Sequence, residues 1–585
     1  MKTYPSLIAA SLMLAALSRF QAQAAENTWN NLEGNFKWNY VNWNWIDPQL
    51  WVDGDDAVFR ELDNSIGTIA LDVPITAHNL TFNSDGYVID GAGQLLTLAG
   101  KTPTIPTITA NANAIMAASL TGTDGLAIQG TSVLTLLGGT NIVLGNYYKG
   151  GTFVKGGTLV LRVAGAQTSG SAYAVDSLEA VDTGATVQIG TVNDGLDTAT
   201  SNVRPPDGQI MRTSISGRLN LTGGAFDNNG DNNGMVYPPP TGTGTIVNSS
   251  PYARAVLKLS RNDGGTYVFN GQIKDGGETI VRANSGPGYQ QNIDMNGGNF
   301  TMVLGGSNSF TGFLRMNSGP TGNTVILQPG GTLGYAAPIN CPSRQILMNS
   351  GKIDLNGTSQ KVGYVYTGND ANSSLTNGAF GTVSTLTVCY NCTNLVAFNG
   401  AATPRGIRSA LRDDPTTGGT LALTKEGVAI QPIGNYAGDG TPAPNNYHGD
   451  TTVNNGILQV LSLGAMSPNS AYRLNTTQGK LQLDYVGTAD VRMLYVNGVA
   501  QPNGVYGAST APITGAGFIR VTGNLDYARF GQNLVFTWLN NSKLQSQTNG
   551  ITGPWFDYPG GGTSGVAVPV DLAQKSVFFR LAPVP

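Results

Sequence analysis

Beyond residue 100 the chain alternates apolar and polar positions over three to six residues, then breaks at Gly, Asn, Asp or Pro. LTLLGG at 134–139, TLVLRV at 158–163, ATVQIG at 185–190, FTMVLGG at 300–306, KIDLNG at 352–357 and KLQLDYV at 480–486 all read this way. A period of two marks strands with one buried face, and the breaks supply the turns. No stretch sustains a period of 3.6, and the strands recur too often to leave room for crossover helices. The pattern predicts an all-β chain, most simply a right-handed parallel β-helix. Coils of about 20 to 25 residues would give roughly 20 coils and a rod on the order of 100 Å. A tandem immunoglobulin-like array is the rival, but hairpin spacing and a core Trp position are missing.

The array repeats itself. Tyr148, Gly151, Thr152, Val154, Gly157, Thr158 and Leu159 reproduce, within one residue, the spacing of Tyr447, Gly449, Thr451, Val453, Gly456, Ile457 and Leu458. A looser copy at 307–319 leads into TVILQPGGTLG at 324–334. The best copies span 126–163, 300–334 and 421–460. In the last of these, Thr424-Lys425-Glu426-Gly427, then Asn446-Tyr447-His448-Gly449, then Thr452-Val453-Asn454-Asn455-Gly456-Ile457-Leu458 resemble the autotransporter-associated β-strand repeat. Ala429 stands where that family has a second Gly, and a Pro- and Gly-containing insertion precedes Asn445. The segments 51–98 and 476–523 resemble the family's usual opening and closing segments. The resemblance implies a scaffold whose members share architecture and no common chemistry. The piece 526–585 changes character and resembles a small terminal β module of extracellular proteins from Verrucomicrobia-like bacteria, with Trp538, Leu544, Trp555, Val566 and Phe578 expected as its core.

Composition fits stacked coils. Glycine is 79 of 585 residues and charge only 12%, because identical positions lie over one another at about 4.8 Å, where like charges repel and Asn, Thr and Val stack. Residues 1–24 read as a secretory signal: Lys2, an apolar run from Leu7 to Leu17, and Ala22-Gln23-Ala24 as the cleavage site. Its removal takes Lys2 and Arg19 and no acid, moving the net charge from −4 to −6. That sign argues against a nucleic-acid partner. No later apolar run reaches 18 residues, so no transmembrane segment is expected. Nothing in the terminal FFRLAPVP or before it reads as an autotransporter barrel, so display would need another export system.

Candidate chemistry is sparse. The cluster at 25–60 holds Phe36, Trp38, Tyr40, Trp43, Trp45 and Trp51. These are expected to cap the open end of the helix, the alternative being a glycan-stacking platform of Trp38, Tyr40, Trp43 and Trp45. Asp413-Asp414 and His448-Gly449 bear a slight likeness to the motifs of polygalacturonase-like hydrolases. The flanking residues do not follow, and His448 and His78 read as surface and structural residues respectively. Asp227, Asn229 and Asp231 alternate like calcium-loop ligands, but Asn232 and Pro238 stand where an EF-hand wants Gly and Glu, so a polar turn is expected over weak calcium binding. Asp53, Asp55 and Asp56 carry the same ambiguity. Cys341, Cys389 and Cys392 suggest a disulfide from Cys341 to one of the pair, since one Cys-x-x-Cys cannot hold zinc alone. Asn79-Leu80-Thr81 is a sequon that composition alone would produce. No catalytic constellation and no cofactor emerges.

The function expected is a secreted or cell-surface β-helical scaffold of the adhesin kind, without enzymatic activity. Two alternatives stand beside it: a subunit of a self-assembling extracellular fibre, and a protein that binds or cleaves an extracellular polysaccharide. Its partners would be an extracellular glycan or cell surface, or further copies of the chain.

Overall fold

The computed structural model describes residues 24–46, 50–101, 104–137, 146–161, 173–175, 177–190, 214–215, 217–229, 236–251, 254–277, 290–317, 322–334, 345–367, 373–389, 406–408, 410–414, 416–434, 444–475, 477–521, 525–530, 532–538, 542–548, 552–570 and 576–583. Residues 1–23 of the proposed signal segment, Asp231, Cys341 and Cys392 lie outside these residues. Two units emerge, 1–257 with 276–289 and 258–275 with 290–585.

The first unit is a parallel β-helix with three faces. Asp56–Phe59, Leu80–Phe82, Thr107–Ala110, Leu126–Gly130, Thr152–Val154 and Leu178–Val181 pair in parallel along one face. Thr68–Leu71, Tyr87–Asp90, Ala114–Met116, Val133–Leu136, Thr158–Leu161 and Thr186–Ile189 pair along the second. Ile75–Ala77, Leu95–Leu98 and Ser119–Thr121 form a shorter third face.

In-register stacking puts like on like in the core. Ala57, Leu80, Ile108, Ile128, Val154 and Val181 form one buried column, and Ile69, Ile89, Met116, Leu136, Leu161 and Ile189 another. Phe59 and Phe82 stack face to face with centroids 4.8 Å apart, the strand spacing itself. Coil length varies more than the pattern predicts. Ile108 stacks on Ile128, 20 residues on, but Leu178 stacks on Leu219, 41 residues on. Insertions at a corner cost only slowly growing loop entropy and leave the columns aligned.

The second unit continues in the same manner. Ile293–Asn296 of one long strand, Leu314–Asn317, Gln345–Met348 and Tyr364–Thr367 form one parallel run. Thr420–Glu426, Thr451–Val453, Ala471–Leu474 and Met493–Val496 form another, and Ile430–Ile433, Gly456–Val460, Gly479–Leu483 and Ile513–Gly515 a third. Among the described residues the helical content is a single 3-10 turn at Leu463–Ala465.

Residues 525–583 switch to antiparallel pairing. Asn533–Thr537 lies between Asp526–Phe530 and Val566–Pro569, and Ser542–Gln547 between Phe556–Asp557 and Phe578–Pro583. The core is Phe536, Trp538, Leu544 and Val568, with Val566, Phe579 and Leu581 packed against it. Two expected core residues fall elsewhere. Strand register turns Phe579 inward, its ring centroid 4.6 Å from that of Phe536, so Phe578 faces the other way. Trp555 lies beneath the guanidinium of Arg580, 4.6 Å from the ring centre.

Candidate functional site

The three repeat copies share one internal geometry. Asn146, Asn308 and Asn445 are buried, and each accepts a backbone N–H from an earlier segment through Oδ1: from Leu120 at 2.9 Å, Ile273 at 2.8 Å and Leu411 at 2.7 Å. Asn308 and Asn445 also donate to the carbonyls of Thr332 at 2.7 Å and Ala465 at 2.6 Å. The amide therefore acts as a staple between coils where no strand pairs. Two residues later comes a buried aromatic, Tyr148, Phe310 or Tyr447. Four residues after each Asn stands a glycine that tolerates no Cβ. At Gly150 it would fall 2.5 Å from the Gly125 amide nitrogen, at Gly312 2.2 Å from the Gln291 carbonyl, and at Gly449 2.3 Å from the Leu421 carbonyl. The structural equivalents are thus Asn445 rather than Asn446, and Gly150 rather than Gly151.

The tyrosine hydroxyls meet a threonine four residues on. Tyr148 and Thr152, and Tyr447 and Thr451, are hydrogen-bonded at 2.6 Å inside the core. Burial pushes the Tyr447 phenol up to about 12, opposed by its hydrogen bond to Thr451. Lys425, in the opening of the third copy, is fully buried and donates through Nζ to the carbonyls of Gly427 at 2.7 Å and Asn455 at 3.1 Å, with Glu426 as a third acceptor. Burial pulls its pKa down to about 8, against the opposing influence of Cys389 and Glu426.

The calcium-like segment is a solenoid corner. The Asp227 carboxylate accepts from the amides of Asn229 and Ser249, both at 3.0 Å, from Gln188 Nε2 at 2.7 Å and from the Ser249 hydroxyl. Asn229 adopts φ of 36° and donates to the Ile189 carbonyl at 3.1 Å. The same corner recurs at Asp354, which accepts from Asn356 and Gly378, while Asn356, with φ of 45°, donates to Leu327. Asp and Asn alternate here because an Asx turn wants one and a left-handed residue the other. Asp53, Asp55 and Asp56 are equally occupied: by Tyr40, Trp51 and Thr76; by Ala25 and Asn27; and by His78 and Asn79. Among the described residues no three metal-ligating side chains converge.

The acids and histidine at 413–448 do come together. His448 Nδ1 lies 2.7 Å from Asp413, whose carboxylate also accepts the amides of His448 and Leu421. Asp414 turns to Lys352 at 3.3 Å; although burial opposes it, the amides of Thr416 and Thr417 and then Lys352 hold its carboxyl below the usual range. The two acids serve separate structural bonds. Cys389 is half-buried and unpaired among the described residues.

At the amino-terminal end, Trp29 packs edge to face on Trp45, and Trp38 on Trp45 and Trp51, with centroids 4.9 to 5.2 Å apart; Trp45 and Trp51 lie tilted at 4.8 Å, and the cluster continues into Phe59. Trp38 and Trp45 are fully buried, which removes them from any glycan-stacking surface; large rings fill the coil end instead of facing solvent. Tyr40 and Trp43 stay on the surface, 38% and 54% exposed.

Among the described residues no helix is long and apolar enough to cross a membrane. No family model matches the chain, and no solved structure matches it. In an alignment 498 positions long, which covers 74% of this chain and 14% of the relative, the chain is 26% identical to the adhesin BmaC autotransporter of Brucella suis biovar 1 (strain 1330).

Proposed function

We propose that this chain is a secreted or cell-surface β-helical scaffold of the adhesin type, without enzymatic activity, exported through its amino-terminal segment. The observation that carries this reading is where the distinctive polar residues go. The staple asparagines, the Tyr and Thr pairs, Lys425, Asp227 and Asp413 are all engaged in joining chain segments. Polar side chains spent on holding coils together fit a scaffold, in which each coil packs only on its neighbours. The name of the Brucella relative supports the same reading.

The fibre alternative draws less support. Glu26–Trp29 is covered by Trp45–Ile46 running antiparallel, Met493–Val496 by Val499–Ala500, and Phe518–Val521 by Gly504–Tyr506. A reversed strand hinders another parallel coil from docking on that edge. Beads coated with residues 25–585 should adhere to epithelial monolayers or bacterial cells above albumin-coated beads. Adherence to neither would overturn the adhesin reading, and release of reducing ends from polysaccharide would overturn the non-enzymatic one.

A further inference from the structure

We infer that Trp43 is the stacking platform of a binding site for a neutral, β-linked pyranose polysaccharide, which names a ligand class for the adhesin reading and rests on it. An indole exposed to 54% is unusual for a residue type that is mostly buried. Its immediate surroundings hold it still. Glu33 Oε1 accepts the Trp43 amide at 2.7 Å, and Glu33 Oε2 accepts from Asn35 at 3.1 Å and from Asn42. Buried Asn44 accepts the Glu33 amide at 3.0 Å and donates to Asn35 at 2.7 Å. Asn39 accepts the amides of Val41 and Asn42 at 3.0 and 2.8 Å. These bonds order the loop that carries the indole before any ligand arrives, and a preordered loop loses little entropy on binding.

The chemistry of the same loop selects the class. Glu33, bonded to the Trp43 amide, and Asn35 and Asn42, bonded to Glu33, put carboxylate and amide groups in the loop that carries the indole, the combination that suits a sugar with one C–H face and a rim of hydroxyls. A gluco-configured β-linked chain presents equatorial hydroxyls at its edge and a flat face to stack. Glu33, Asp53 and Asp72 disfavour a polyanion, since the nearby cation, Lys37, is already paired with Asp72 at 3.2 Å. Tyr40, its hydroxyl tied to Asp53 and Pro74, offers a second fixed ring.

The test uses the purified exported chain with cellopentaose, chitopentaose and polygalacturonate as probes, read by calorimetry and affinity electrophoresis. One of the two neutral oligosaccharides should bind, more tightly than polygalacturonate. Trp43→Ala should weaken it at least about tenfold, and Trp43→Tyr should retain most of the affinity. Trp43 is exposed, and circular dichroism of both variants checks that they fold. Binding of neither neutral probe, or equal binding by Trp43→Ala, overturns the inference. The bead assay separates this from the adhesin reading: adherence unchanged by Trp43→Ala without glycan binding leaves the adhesin reading standing, while glycan binding without adherence overturns that reading alone. Adherence lost in Trp43→Ala without glycan binding would assign the ring to a protein partner and reject the sugar.

Discussion

The copies at 146–154 and 445–453 differ from the copy at 308–316 in a linked pair of core residues, as well as in Met316 where they have Val154 and Val453. The first two place a Tyr and a Thr in the core, hydrogen-bonded to each other, where the other places Phe310 and Leu314. The staple asparagine and the Cβ-intolerant glycine are common to all three. A single buried hydroxyl without its partner costs more than either complete arrangement, so the pair changes together or not at all. Asn and Gly respond to a different demand, the joining of coils, which no apolar pair can meet. The repeat thus combines a fixed backbone device with an exchangeable core pair.

If that separation is right, removing the staple should do the greatest harm and harm both kinds of copy alike. Asn445→Leu and Asn308→Leu each leave a buried N–H and a buried carbonyl without partners, and each should lower the unfolding free energy of its region by about 2 to 4 kcal/mol. Hydrogen exchange at the Leu411 amide in one variant, and at the Ile273 amide in the other, locates the loss. A variant that loses protection no faster than wild type at those amides would contradict the staple.

Lys425 tests a second difference. In register it occupies the place of Ile128, since Val453 pairs with Lys425 as Val154 pairs with Ile128. With its folded pKa about 8 and its unfolded value near 10.4, the unfolded chain holds this proton more tightly. Stability relative to Lys425→Ile should therefore rise with pH between about 8 and 10.5, by roughly 3 kcal/mol at most. Denaturant titrations of the two proteins at pH 7, 9 and 10.5 measure it. A constant difference would show that the three carbonyls hold Lys425 at its ordinary pKa.

Period and punctuation made the fold legible, because parallel coils impose period-two burial on every face. Repeat spacing likewise exposed Tyr148, Thr152, Tyr447 and Thr451. What sequence could not show was direction in space. Trp38 and Trp43 look equivalent as letters, yet one fills the coil end and the other stands on the surface. Asp227 and Asn229 read as an alternating polar turn, and nothing in the letters shows that the neighbouring coil supplies Ser249 as a partner 22 residues away. Lys425 entered the sequence reading only as part of the Thr-Lys-x-Gly opening, and nothing in the letters shows that its ammonium is buried against three carbonyls. Corner chemistry and ligand chemistry use the same side chains, and only the stacked coil tells them apart.

The smallest expected effect probes the exchange most directly. Tyr148→Phe removes a hydroxyl and leaves Thr152 Oγ1 without that partner, for a loss of about 1 kcal/mol. Phe310→Tyr places a new hydroxyl opposite Leu314 in the core, which should cost about 1 to 2 kcal/mol through an unpaired polar group. The double variants Tyr148→Phe with Thr152→Leu and Phe310→Tyr with Leu314→Thr should each recover part of the loss, giving a coupling energy of about 0.5 to 1 kcal/mol in the two cycles. Recovery requires the pair to act as one unit, since Leu is bulkier than Thr and would on its own strain the coil. Additive losses in both cycles would mean that the Tyr and Thr of each copy are fixed separately by their own neighbours, and the exchangeable-pair account of the repeat would fail.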